Sequence, residues 1–281
     1  MSTGMLEALG ARRDERNADF CWRPHRGPFR LLTQAQARRY DERGFFILRD
    51  AIPRQAIETL MREIDPFEVE AENFVREQAG GELSIMKAGA ISFTTHIVRR
   101  SQIARDFCKS QVFLDLCHDT LGQDVRLYWD QAVYKKPDAA RVFPWHQDNG
   151  YAYVEPQQYL TCWVPLVDAT LENGCPWIVP GLHREGTLVH QQRPWGLQCF
   201  DIDSSDIPVG AIAAPAAVGD IVVFSSLTPH STGPNLTQSV RKAYIVQFAP
   251  DGAEIVGAEG QRVLAADDKR QFMIMKDGKR V

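Results

Sequence analysis

The sequence predicts a mainly β fold of the α+β class: a double-sheet jelly roll with N-terminal helices packed on one sheet. Three observations carry this. From residue 125 onward, short stretches rich in β-forming residues are separated by turn residues over about 125 residues, as in a jelly roll. Before residue 125, apolar residues recur mostly at helical spacing. The 281 residues are 44% hydrophobic, enough for one large core. The expected organisation is an N-terminal arm over residues 1–30 and one domain over residues 31–281.

The elements follow in order. Residues 1–30 are polar and irregular, with Pro24, Gly27 and Pro28, and read as a mobile or draped arm. Thr33 is a good N-cap for a helix over residues 34–43, which Gly44 ends in a left-handed turn. Phe45-Phe46-Ile47-Leu48 suits a buried strand. Pro53 suits a helix's first position, and Ile57, Leu60, Met61 and Ile64 follow at helical spacing. Residues 66–82 are charged and Gly-rich and read as a loop with room for one helical turn. Residues 83–87 and 91–98 lean towards strand. Residues 101–121 read as two helices parted near Ser110, with Gly122 as the second stop. Strands are expected over 125–135, 159–167, 221–224 and 240–248. Asn173-Gly174 is a strong hairpin-turn signal leading into Pro176-Trp177-Ile178-Val179. The long polar connection over 185–207 reads as functional, for instance a lid.

Composition narrows the partners. Lys and Arg number 32 against 36 Asp and Glu, a net charge of −4 with no long run of one sign. That argues against nucleic acid or an anionic membrane and leaves a small-molecule substrate. Cys21, Cys108, Cys117, Cys162, Cys175 and Cys199 have no disulfide or CxxC spacing and read as reduced thiols. No apolar run reaches membrane-spanning length and no signal peptide is evident, so a cytoplasmic protein is expected. Oligomeric state is not legible.

His146 and Asp148 stand two apart, and on an extended strand they emerge on one face. An imidazole and a carboxylate are two thirds of the two-His, one-carboxylate site that holds non-haem iron with positions left open. Alone, the pair also fits a hydrogen-bonded surface contact. His230 supplies a distant second imidazole just after the strand over 221–224. Arg241 follows eleven residues later at the start of a strand, where a turn over 231–239 returns it beside His230. An arginine there offers a planar fork for a dicarboxylate co-substrate.

The stretch Trp145-His146-Gln147-Asp148-Asn149-Gly150-Tyr151 resembles the phytanoyl-CoA dioxygenase family. So do Thr161-Cys162-Trp163, the run from Asp168 to Cys175, Pro180-Gly181-Leu182-His183, Pro229-His230-Ser231 and Arg241-Lys242-Ala243. Arg43-Gly44-Phe45-Phe46-Ile47-Leu48 resembles the family's N-terminal stretch, so the likeness spans about residues 33–250. The resemblance implies a double-stranded β-helix, cupin-like, and an Fe(II)- and 2-oxoglutarate-dependent dioxygenase that also consumes O2. It implies His146, Asp148 and His230 as iron ligands and Arg241 as the partner of the 2-oxoglutarate carboxylate. Thr232 matches a position that helps bind the same carboxylate, and Gln131 and Trp163 match positions lining the co-substrate pocket. Trp163 fits the core equally well. Related halogenases lack the carboxylate ligand; Asp148 therefore favours hydroxylation or a related oxidation.

The remaining histidines, His25, His96, His118, His183 and His190, read as structural or exposed. Phe93, His96, Asn149, Tyr151 and Trp195 are the expected substrate walls. Two other functions fit the residues less well. A cupin-like epimerase or hydrolase using another divalent metal has no use for Arg241. A non-catalytic ligand-binding module has no use for an intact triad.

Overall fold

The structure, a computed structural model, describes residues 2–17, 19–137 and 142–281; Met1 and Ala18 of the expected arm lie outside them. Its frame is a large antiparallel sheet facing a smaller one. The large sheet runs β1 (Phe45–Leu48), β13 (Ile221–Ser225), β8 (Leu160–Pro165), β15 (Arg241–Pro250), β5 (Val125–Lys135) and β4 (Ile91–Thr95). It continues into the hairpin β3 (Met86–Lys87) and β2 (Glu82–Leu83), while β18 (Met273–Lys276) and β19 (Lys279–Arg280) extend it beside β5. The small sheet runs β12 (Ile212–Ala213), β9 (Pro176–Ile178), β14 (His230–Thr232) and β6 (Phe143–His146). Outside both lie a three-stranded sheet, β17 (Arg262–Leu264), β16 (Glu254–Val256) and β7 (Val154–Glu155), and a hairpin, β10 (Gln191–Arg193) with β11 (Gly196–Gln198). This is the jelly-roll frame the β-rich half predicts.

Period-two alternation sorts the large sheet's side chains. Leu160, Cys162 and Val164 of β8 and Tyr244, Val246 and Phe248 of β15 join the core beneath the helices. Trp163 and Ala243, one residue out of step, face the small sheet with Val222, Phe224 and Ile178. Helix α2 (Gln34–Arg43) begins with a capping box between Thr33 and Gln36. It ends at Gly44, whose φ of 78° places it in the left-handed region. Helices α4 (Gln102–Cys108) and α5 (Gln111–Thr120) part near Ser110 as expected.

Three sequence expectations are corrected. Helix α3 (Arg54–Arg76) runs through Pro66 and most of the expected loop. Its charged inner face disguised it: Glu68 and Glu72 are buried because Ser92 and Lys136 bind the first, and Arg76 and the Gly89 amide bind the second. Asn173-Gly174 does turn the chain, with Gly174 at φ 85°, but β8 and β9 on either side belong to different sheets. The turn therefore crosses between layers. Nor is 185–207 a free lid. Glu185, Thr187, Leu188, Cys199 and Phe200 are buried, and the Cys199 amide donates to the Trp145 carbonyl at 2.8 Å, tying the segment to β6.

The first helix, α1 (Ser2–Ala8), is followed by Leu9 and Ala11, which pack with Leu6 beside Trp145 and Val179. The backbone of Asp14 donates to the Thr187 carbonyl at 2.9 Å, so this segment lies against the same connection. All six cysteines are free thiols, five of them buried. No helix among the described residues is long and apolar enough to cross a membrane.

Candidate metal centre

Sheet register brings the two histidines together. His230 of β14 stands directly opposite His146 of β6, so both rings leave the small sheet on one side. Their ring centroids are 4.1 Å apart. Strand β6 ends at His146, and Asp148 opens a 3₁₀ turn over Asp148–Gly150 rather than continuing the strand. The carboxylate still reaches both imidazoles: Oδ1 lies 3.9 Å from His146 Nε2 and 3.8 Å from His230 Nε2. One donor atom from each residue falls within 4.8 Å of the others, a spacing that fits three ligands of one ion.

The surroundings aim these donors. His146 Nδ1 lies 2.8 Å from the Pro144 carbonyl, and His230 Nδ1 lies 3.0 Å from the Thr228 carbonyl. A carbonyl only accepts, so each Nδ1 carries the proton and each Nε2 presents its lone pair. Burial, and then the neighbouring His230, hold His146 well below the usual imidazole range, keeping that lone pair free. Thr161 donates its hydroxyl to Asp148 Oδ2 at 2.5 Å, and Gln247 Nε2 donates to Thr161 at 3.3 Å. Oδ1 is left for the histidine side.

Between the ligands in sequence, Gln147 points away from the site and is fully buried. It donates to the Gly186 and Leu227 carbonyls at 3.0 and 2.6 Å and accepts from the Leu188 amide at 2.6 Å. His190 Nε2 accepts from the Gln147 amide at 2.9 Å. Burial lowers His190 to about 4, so it remains a neutral acceptor.

The triad faces a cavity of about 540 Å³ between the sheets, into which Arg241, Thr232, Gln131 and Trp163 also point. Arg241 is 1% exposed, and none of its three guanidinium nitrogens has a hydrogen-bond partner among the described residues. Its guanidinium carbon lies 5.5 Å from the Trp163 ring centre. Burial lowers it from 12.5 to about 10, so it is a cation at neutral pH. A buried, unpaired cation is costly, and an anion is the partner it lacks. Lys135, opposite Arg241 in the β15–β5 register, donates to Thr232 Oγ1 at 3.0 Å and fixes that hydroxyl.

Every site residue singled out in the sequence thus lies on one cavity. Of the expected substrate walls, Phe93 and Tyr151 line it. Asn149, His96 and Trp195 are corrected. Asn149 is buried and bonds Thr187 and the Val154 amide. His96 stacks edge-on against Trp129 and accepts from Arg270, and Trp195 is not among the lining residues. Sequence reading missed Thr161, Gln247, Tyr128 and Tyr159. Alternation with Trp163 and Arg241 along their strands was the signal available for the first two.

Known proteins share this frame. A probable phytanoyl-CoA dioxygenase of Caenorhabditis elegans is 25% identical over 262 residues, covering 84% of this chain and 82% of its own. A methylphosphonate hydroxylase of Gimesia maris is 26% identical over 220 residues, covering 77% of this chain and 80% of its own. EvdO2 from Micromonospora carbonacea, solved with 2-oxoglutarate, shares the fold with a TM-score of 0.61 at 24% identity, over 85% of this chain and 95% of that one. The phytanoyl-CoA dioxygenase model matches residues 40–243, and the chain belongs to that family.

Proposed function

We propose that the protein is an Fe(II)- and 2-oxoglutarate-dependent dioxygenase that hydroxylates an unactivated C–H of a small molecule, with release of succinate and CO2. In this reading residues 31–281 act as one oxygenase domain with residues 1–30 as its arm. The observation that carries it is the unpartnered Arg241 guanidinium, buried in the same cavity as the His146, Asp148 and His230 donors. A metal site alone fits many chemistries; a metal site with a buried anion clamp fits far fewer.

His146 and His230 would hold iron through Nε2 and Asp148 through Oδ1, the atoms that face one another. When bound, the metal supplies activation of O2 coupled to decarboxylation of the keto acid. The chain's own residues do the rest. Arg241 holds the far carboxylate of 2-oxoglutarate, with the Thr232 hydroxyl beside it. Lys135 keeps Thr232 in place, and Trp163 and Ile245 wall the co-substrate. Thr161 keeps the Asp148 carboxylate turned towards the histidines. The apolar walls keep water from the reacting centre.

The test needs no substrate. Fe(II) and 2-oxoglutarate added without air should give a weak visible charge-transfer band, which His146→Ala should remove. A band of equal strength in that variant would overturn the assignment.

A further inference from the structure

Away from the triad and Arg241, the cavity is lined without a single charged side chain among the described residues. One wall is apolar, built from Ile85, Met86, Ile91, Phe93 and Phe143, the last of which meets the His146 ring edge-on at 4.8 Å between centres. The buried residues that carry a hydroxyl on the cavity are Thr161, Tyr128 and Tyr159. Thr161 is committed to Asp148. The Tyr128 and Tyr159 side chains are 5% and 1% exposed, and neither phenol has a hydrogen-bond partner among the described residues. Neither hydroxyl is sealed inside the protein: both open onto the cavity, where a bound ligand can take them as a pair of donors.

The backbone places them deliberately. In β15 the register passes from Gln247 opposite Trp129 to Phe248 opposite Leu127, so Tyr128 has no residue across from it. This β-bulge lets Tyr128 and Trp129 both face the cavity, where strict alternation admits only one. Tyr159 meets Tyr128 edge-on at 5.1 Å between ring centres. Burial, then the Asp148 charge, pushes Tyr128 up to about 12. Burial, Tyr128 and Asp148 together raise Tyr159 well above the ordinary phenol range. Both phenols therefore keep their protons and act as donors, at the Asp148 end of the cavity.

We infer that the primary substrate is an uncharged, largely hydrophobic molecule, held through a carbonyl, ether or hydroxyl oxygen by the Tyr128 and Tyr159 hydroxyls. The inference rests on the oxygenase reading above and gives that site its substrate class. A charged group against the apolar wall loses its hydration and meets no counter-charge there among the described residues. An oxygen acceptor beside the two phenols takes a hydrogen bond from each and sets which carbon faces the metal.

The test uses three matched probes: indane, 1-indanone and indane-1-carboxylate. Each is measured by equilibrium dialysis against the 281-residue protein loaded with Fe(II) and saturating 2-oxoglutarate under argon, so that Arg241 is occupied. The ketone should bind about threefold to tenfold more tightly than indane, the range expected of one neutral hydrogen bond. The carboxylate should bind more than about tenfold more weakly than the ketone. Tyr128→Phe with Tyr159→Phe keeps both rings and should erase the ketone's advantage without changing indane. Equal binding of carboxylate and ketone, a ketone preference that survives the double substitution, or no ketone binding at millimolar concentration would each overturn the inference. The dialysis is repeated on metal-free protein. A missing charge-transfer band with the ketone preference intact condemns the iron reading alone.

Discussion

Arg241→Met is the most informative single change, because it should help the empty protein and ruin the loaded one. The guanidinium is 1% exposed and has no hydrogen-bond partner among the described residues. Burial takes it from 12.5 to about 10, a difference of about 3 kcal/mol between charged and neutral forms. The folded-state value lies below the unfolded one. The cost is therefore fully present at neutral pH and fades only as the pH climbs from about 10 to 12.5. Contact with the Trp163 ring at 5.5 Å recovers part of it. Methionine fills similar space without charge, so the variant should gain about 1–3 kcal/mol, or about 2–10 °C in Tm. With 2-oxoglutarate the sign reverses. A bidentate carboxylate pair is worth about 3–5 kcal/mol, so affinity should fall by about two to four orders of magnitude. Thermal unfolding with and without 2-oxoglutarate, and anaerobic titration of the charge-transfer band, read the two effects separately. A variant that melts lower than the wild type without ligand, or that binds 2-oxoglutarate within threefold of it, would refute the reasoning.

Other changes test the frame around the site. Thr161→Val removes the bond to Asp148 Oδ2 and should weaken Fe(II) binding by about 10–100-fold in anaerobic titration; unchanged affinity would show that the carboxylate orients itself. Gly44→Ala should cost at least about 2 kcal/mol in chemical denaturation, since φ is 78° and a Cβ would sit 2.5 Å from Thr228 Oγ1 and 2.6 Å from His183 Nδ1. Acid should also destabilise the fold. Burial holds His183 at about 4, below the unfolded value of 6.5, so the unfolded chain takes up the proton first and stability is lost as pH falls from 6.5 towards 4. The drop in Tm between pH 7 and pH 5 should shrink in His183→Gln, and an identical drop would assign the acid sensitivity elsewhere.

The frame and the grouping of the candidate site residues were legible because both leave marks on residue order. Thr33 and Gly44 bound a helix by local chemistry, and the capping box and left-handed turn stand where those residues put them. Period-two alternation marked β5, β8 and β15. His146, Asp148, His230 and Arg241 carry chemistry so particular in type that their order along the chain was enough to group them. Helix α3 was lost beyond residue 66 because its buried glutamates are paid for by Ser92, Lys136 and a backbone amide, partners distant in sequence.

Sequence alone thus picked out four residues, His146, Asp148, His230 and Arg241, that meet on one cavity. The tertiary structure decided what depends on register. The facing of His230 and His146 is a cross-strand pairing, and so is the placing of Lys135 against Thr232. A one-residue bulge opposite Gln247 and Phe248 turned Tyr128 into the cavity. Register sets which face a side chain takes, and it is fixed by strands far apart in the chain. That is why the reaction class could be read from the residues, while the shape and polarity of the substrate cavity waited for the fold.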